Sequence, residues 1–259
     1  MKVRCLLIAV VIMFVAGVLA SSTHAAVDPK TVVGMWLFDD NKGTVATDSS
    51  VNKNVGTVKG TAQWVAGKFG SALQLDGKTG WVDCGDTASM AIPAGGSVTM
   101  CAWVNPTVGS VAAWQGIMAK RTGSYSYGIN LVKGNFQIYT SGASGIAGFA
   151  YDLPVGQWVH VAATMSKNPT ELYVNGVLFG TKGGGGGVAL AANGLGIGAS
   201  GTIGEFFNGI IDDVAIFNTV LTVDDVKSLM TKGLASTFGI TAVESSGKLA
   251  TSWASLKSQ

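Results

Sequence analysis

The sequence predicts an all-β domain, a sandwich or barrel of short antiparallel strands, with one short helix on its C-terminal side. Two observations carry this. Glycine is abundant, 37 of 259 residues, and turn signals recur between short apolar runs, which is the pattern of chains that double back on themselves as strands. The runs also alternate. In Ser97–Pro106, Val98, Met100, Ala102 and Val104 fall on one face, and Thr99, Cys101 and Trp103 on the other. That period of two is the signature of a strand with one buried face.

Taken in order, strands are expected at Val32–Phe38, Asn54–Gly60, Ala72–Gly77, Gly80–Gly85 and Ser97–Pro106. Then come Gly116–Arg121, Tyr127–Val132, Asn135–Thr140, Trp158–Met165, Thr170–Gly180, Gly194–Gly198 and Gly209–Phe217. The run TELYVNGVLFG contains Asn175-Gly176, a pair that accepts the positive φ of a type I′ turn and so closes a hairpin. Lys133-Gly134-Asn135 reads as a second hairpin loop. A helix is expected over Thr222–Met230, with Thr222 as N-cap, Asp225 three residues on, and Gly233 as the stop. Gly183–Gly187 is a five-glycine run without side chains to pack, and reads as a loop between strands.

The domain organisation follows from the two ends. Residues 1–25 read as a signal peptide: Lys2 and Arg4 give a positive start, Cys5–Ala20 an apolar core, and Thr23-His24-Ala25 a cleavage site. The apolar run is shorter than the roughly 20 residues a spanning helix needs. Residues 26–235 read as one domain, and 236–259 as a polar, Ser-rich tail in which Trp253 could dock. The expected location is therefore secreted or extracytoplasmic, in the cell envelope, with no membrane insertion of the mature chain.

Charge and cysteine content exclude several functions. Without residues 1–25 the chain carries 15 Lys+Arg against 15 Asp+Glu, and Arg121 is its only arginine. Nucleic acid binding needs a concentrated basic face, so no nucleic-acid partner is expected. Cys84 and Cys101 remain; in an exported protein they either pair or stay as two buried thiols, and spacing does not decide between these. With no C-x-x-C and one mature histidine, a zinc site is not expected.

The catalytic readings are poor. Sugar hydrolysis needs two carboxylates at a set separation, yet the three glutamates, Glu171, Glu205 and Glu244, are widely scattered. Asp212-Asp213 are adjacent on a strand and are expected to point to opposite faces. His160 lies in a strand with no G-x-S-x-G elbow to partner it. No catalytic residue is assigned, and the protein is not expected to be an enzyme.

Two clusters suit binding. Asp39, Asp40, Asn41, Asp48, Ser49, Asn52 and Asn54 crowd one stretch, and Asp212 could approach them through the sandwich. Hard oxygen ligands on loops suit Ca²⁺, so Asp39, Asp48, Asn52, Asn54 and Asp212 are the candidate ligands of one structural calcium. The competing reading is that Asp, Asn and Ser are turn formers. The second cluster is aromatic: Trp114, Tyr125, Tyr127 and Tyr151 lie in or beside the middle loops and are the candidate rings for stacking on a sugar. Trp36, Trp81, Trp103 and Trp158 are expected in the core.

The ordered set of runs resembles a known family. GMWLFDDNKGTVATDSSVNKNVGTVKG, KFGSALQLDGKTGWVDCGD, SVTMCAWVNP, GQWVHVAATM, ELYVNGVLFG and FNGIIDDVAIFNTVLTVDDVKSL follow one another as they do in LamG-like domains of the concanavalin A-like lectin/glucanase superfamily. The resemblance covers most of residues 33–234 and departs from the usual form at Val51, where a glycine is common. It implies a two-sheet antiparallel jelly-roll sandwich with one concave face. It also implies a carbohydrate-binding, adhesive or accessory role, often with Ca²⁺, and no shared catalytic set. The expected partner is a glycan or surface polysaccharide; the alternative is a cell-surface adhesion or structural domain that binds a protein.

Overall fold

A computed structural model of the chain describes residues 27–240, apart from 110–112, 123–124, 134, 141–145, 168, 184–186 and 189–193. The expected signal peptide, the tail from residue 241 with Trp253, and the middle of the five-glycine run lie outside the described residues. The strands run β1 (Val32–Trp36), β2 (Val45–Ala46), β3 (Gly56–Lys59), β4 (Ala62–Ala66), β5 (Ser71–Asp76), β6 (Trp81–Asp83) and β7 (Val98–Pro106). They continue with β8 (Gln115–Arg121), β9 (Tyr125–Val132), β10 (Asn135–Thr140), β11 (Ile146–Ala150), β12 (Val159–Met165), β13 (Thr170–Val174), β14 (Val177–Lys182), β15 (Leu195–Ile197) and β16 (Asn208–Phe217). One helix, α1 (Val223–Thr237), follows.

These strands form two antiparallel eight-stranded sheets, the jelly-roll sandwich that the sequence predicts. The first has the order β14-β13-β12-β7-β16-β5-β4, with β1 and β5 both pairing along β16. The second has the order β11-β10-β9-β8-β15-β6-β3-β2. Strands β2, β4 and β11 were not expected. β2 is two residues long, and β4 and β11 lie at sheet edges with mixed exposure, so none shows a buried apolar face for the pattern to reveal.

The main core fills the space between the sheets. Val98, Met100, Ala102 and Val104 of β7 meet Tyr127, Ile129 and Leu131 of β9 and Phe136 and Ile138 of β10 there. Burial of such apolar surface is the dominant stabilising term. A second cluster lies on the outer side of the first sheet, where Cys101, Ala162, Tyr173, Ala215 and Phe217 pack under Val226, Leu229 and Leu234 of α1. Cys84 belongs to the first cluster and Cys101 to the second, so a sheet separates them. Of the two alternatives that spacing leaves open, disulfide pairing is therefore not the one found: both cysteines are buried free thiols.

Local chemistry sets the turns and caps as expected. Asn175 (φ 48) and Gly176 (φ 73) close the β13–β14 hairpin with positive φ at both positions. Thr222 and Asp225 form a reciprocal capping box at the start of α1. Gly233 (φ 75) breaks the helix at the expected place, but a further turn continues to Thr237. The reason is tertiary: the break frees the Leu234 N–H, which donates to Asp213 Oδ2 at 2.8 Å. Trp36 is fully buried, whereas Trp81 and Trp158 are only partly covered, and Trp103 faces the helix side rather than the main core.

Candidate functional site

The polar set that stands out lies on the outer face of the second sheet. Strand parity explains why. In β9, Tyr127, Ile129 and Leu131 point into the sandwich, which turns Asn130 outward; in β10, Phe136 and Ile138 point inward, which turns Gln137 and Tyr139 outward. A register shift between Lys120 and Arg121 pairs Arg121 with Tyr125 and brings both to this face.

The chain between β15 and β16 folds over the same face. Gly116 N–H donates to the Glu205 carbonyl at 2.6 Å, and Thr202 N–H to the Arg121 carbonyl at 3.1 Å, so β8 holds the loop at both ends. Glycine permits the approach: a Cβ on Gly116 would stand 2.2 Å from the Ala199 carbonyl carbon, and one on Gly201 (φ +60) 2.0 Å from the Arg121 carbonyl oxygen.

The loop delivers Ser200 and Glu205 to Arg121. Arg121 Nη1 donates to Glu205 Oε2 and Ser200 Oγ, each at 3.0 Å, and to the Tyr125 hydroxyl. Asn130 Nδ2 donates to the Tyr125 hydroxyl (2.8 Å) and to Ser200 Oγ (2.9 Å). Two buried atoms of the set, Arg121 Nε and Asn130 Oδ1, have no hydrogen-bond partner among the described residues, an exception to the rule that buried polar groups are paired. Burial raises the Tyr125 and Tyr139 phenol pKa values, so both rings stay neutral hydrogen-bonding groups at physiological pH.

The rings form a column. The Arg121 guanidinium lies 4.1 Å from the Tyr125 ring centre, Tyr125 stacks on Tyr139 at 3.5 Å, and Tyr139 meets Trp114 at 5.8 Å. A guanidinium and a ring both this close must occupy opposite faces of Tyr125, so that ring has no free face for a sugar. Trp114, partly exposed at the end of the column, is the ring that presents surface. Tyr127 is corrected: it is fully buried in the core, with its hydroxyl on the Met90 carbonyl, because its parity in β9 is inward. Tyr151 is elsewhere, between Phe136 (6.0 Å) and Phe179 (5.2 Å) at the sheet edges.

The five candidate calcium ligands do not converge. Asp48 is fully buried: Oδ1 accepts from the Met35 and Ser50 N–H groups, and Oδ2 from Ser50 Oγ and the Asn54 N–H. Asn52 and Asn54 donate their amides to the Val32 and Val33 carbonyls, and Asn54 Oδ1 accepts from Thr87 and Ser89. Asp39 and Asp212 belong to another group around the β4–β5 turn, where Asp39 Oδ1 takes the Ser71 N–H and Asp212 Oδ2 takes those of Lys68 and Phe69. These residues do not fit one calcium; their oxygens tie loops together, the turn-forming reading. Among the described residues no three acids, histidines or cysteines gather as a metal site. Millimolar calcium and chelator are therefore expected to leave the melting temperature unchanged, because only a ligand specific to the folded state shifts it; thermal melts with each addition check this.

Asp212 and Asp213 do not point to opposite faces. A bulge in β16 and the positive φ of Asp213 (46°) break the alternation, and both carboxylates turn toward the β4–β5 turn and α1. Burial raises the pKa of each, and the neighbouring Asp213 adds to it at Asp212 and Asp39 at Asp213. The pair is spent on backbone N–H groups rather than aimed at a cleft.

His160 is a packed strand histidine, buried edge-on to Trp103 at 5.3 Å. Burial lowers its pKa from 6.5 to about 3. The unfolded chain then binds the extra proton between these values, so this contribution to stability is complete above pH 6.5 and is lost as pH falls toward 3. At pH 5 the loss is about 2 kcal/mol. The raised Asp212 and Asp213 act in the opposite direction, so the test is a difference: urea melts at pH 7.5 and 5 for wild type and His160→Phe. The variant is expected to lose about 2 kcal/mol less on acidification.

The comparisons with known proteins agree with this architecture. A family described as the concanavalin A-like lectin/glucanases superfamily matches residues 76–227, more than half of the chain. The chain belongs to this superfamily. Solved structures of similar fold include the binding domain of Paraclostridial Mosquitocidal Protein 1, at 16% identity and TM-score 0.63, over 78% of this chain and 52% of that one. Domain 4 of AbnA, an extracellular arabinanase from Geobacillus stearothermophilus, in complex with arabinotriose, shares 23% identity at TM-score 0.57, over 78% of this chain and 98% of that domain. The binding domain of botulinum neurotoxin DC in complex with rat synaptotagmin II shares 15% at TM-score 0.62, over 78% and 52%. The chain thus spans about half the length of the two toxin chains. No curated protein sequence matches it.

Within this superfamily fold, sequence reading found Trp114 and Tyr125 but missed Arg121, Asn130, Tyr139, Ser200 and Glu205. For Asn130 and Tyr139 the signal was present in the alternation of YGINLV and NFQIYT, which also marks Tyr127 as inward. For Arg121, Ser200 and Glu205 no local signal exists, since a register shift and a long-range loop contact bring them together.

Proposed function

We propose that this chain is an exported, non-catalytic, lectin-like module that binds a glycan on the outer face of the second sheet, beside Trp114. The observation that carries the reading is the aromatic column, with a partly exposed Trp114 at one end and a preformed set of hydroxyl, amide and guanidinium groups at the other. A ring that offers its face to sugar C–H groups, with fixed polar groups for the hydroxyls, is the arrangement that sugar recognition needs. The similar arabinanase domain in complex with arabinotriose supports a carbohydrate ligand. Export rests on the Lys2/Arg4 start, the apolar core and Ala25. The non-catalytic half rests on the acids described above, each engaged in holding backbone or Arg121, and on the family match with its binding-domain neighbours.

A shallow site that desolvates many hydroxyls binds weakly, at about micromolar to millimolar Kd. A glycan array, followed by titration of the best oligosaccharide, tests the reading. A second reading has its own observation: edge strand β14 exposes Val177 (65%), Leu178 (45%) and Phe179 (44%). An apolar edge of this kind suits a protein strand. A chain that binds no glycan on the array but captures a protein through β14 establishes that reading instead.

A further inference from the structure

The charges around the Trp114 face narrow its ligand. Arg121 is the only arginine beyond residue 25. It is already paired: Nη1 lies 3.0 Å from Glu205 Oε2, and the guanidinium is stacked on Tyr125. The cation of the neighbouring residue, Lys120, is turned inward and bound to Asp86. Stretches 110–112, 123–124 and 141–145, which adjoin the strands of this face, contain only Ser, Val, Ala and Gly and bring no charge. Further along, Lys133 at the β9–β10 turn is exposed, but so is Asp152, whose neighbour Leu153 lines the same cavity as Lys133. Across the same sheet, outward Lys59 of β3 and Asp83 of β6 offset each other, so among the described residues the face carries no net charge, and the Arg121–Glu205 pair is satisfied internally.

We propose that this site selects uncharged sugar chains and discriminates against acidic ones. The proposal rests on the glycan reading above. A neutral sugar hydroxyl can donate to the partly exposed Glu205 carboxylate or pair with the Tyr125 hydroxyl without disturbing the ion pair. A uronate or sialate carboxylate meets a different surface. To reach Arg121 Nη1 it must displace Glu205, Nε is buried out of its reach, and any other approach brings it against the Glu205 carboxylate as a like charge, which is how an interface rejects a wrong partner. Glu205 thus acts as the specificity-determining residue, by occupying the only arginine.

The test uses the full chain and two panels, neutral arabino-, xylo-, galacto- and manno-oligosaccharides, and their uronate-containing or sialylated counterparts. Wild type is expected to bind at least one neutral oligosaccharide and the acidic ones at least about tenfold more weakly, with less than about twofold change in affinity between roughly 0.05 and 0.5 M salt. Glu205→Gln, with its fold confirmed by an unchanged circular dichroism spectrum, is expected to gain acidic-sugar affinity by about fivefold or more at low salt, because Arg121 is uncovered. Preference of wild type for acidic sugars, with affinity that collapses at high salt, overturns the proposal while leaving the glycan reading intact. Binding of no sugar in either panel overturns the glycan reading itself. The wild-type salt dependence decides the matter even if the variant does not fold.

Discussion

Replacing Asp48 by Ala is expected to destabilise the domain by about 3–5 kcal/mol. The carboxylate is fully buried and receives four donors, three of them backbone N–H groups of Met35, Ser50 and Asn54. Alanine leaves those donors facing a cavity, and each unsatisfied buried donor costs about 1–3 kcal/mol, less whatever an entering water recovers. Asp48→Asn is expected to be nearly as harmful despite its identical shape. One carboxylate oxygen becomes an NH₂ group, a donor placed against two donors. Denaturant melts of both variants check this. A loss under about 1 kcal/mol for Asp48→Asn would show that the loop rearranges freely.

The second large effect is expected at Gly116. An alanine there places its Cβ 2.2 Å from the Ala199 carbonyl carbon and 2.3 Å from the Ser200 nitrogen. Backbone, not a flexible side chain, must move. Overpacking of this kind costs about 1–3 kcal/mol. The loop that moves carries Ser200 and Glu205, so binding is expected to suffer beyond stability, by about tenfold or more, because a binding constellation tolerates only about 0.5 Å of displacement. Gly148→Ala makes the control: the atoms nearest its Cβ belong to the flexible Gln137 side-chain amide, at 3.3 Å. Calorimetric titration and thermal melts of the two variants separate the outcomes.

The sequence-stretch patterns that proved legible were those set by neighbours in the chain. The alternation in Ser97–Pro106, the Asn175-Gly176 turn and the Thr222/Asp225 cap all report local backbone preference, and each is found where expected. The two-sheet topology was legible through family order rather than periodicity, since a period of two does not say which strands pair. The candidate site was half legible. Trp114 could be found because it sits outside a strand pattern, amid AAWQG. Arg121 and Glu205 are 84 positions apart and meet only because Gly116 and Gly201 admit a loop against β8. The calcium expectation came from oxygen-rich composition. Composition cannot tell an oxygen that waits for an ion from one that already holds the Met35 or Ser71 N–H. Likewise, spacing put Asp212 and Asp213 on opposite faces, and a bulge undid it.

The central claim is that the Trp114 face binds glycan. Its most direct test is a titration of wild type and Trp114→Ala with the best oligosaccharide from the array, paired with thermal melts. Trp114 touches Tyr139 at the end of the column and remains partly exposed. Its removal is therefore expected to weaken binding by about tenfold or more, the loss of roughly 1.4 kcal/mol of stacking, with a nearly unchanged melting temperature. Undiminished binding by the folded variant would contradict the account.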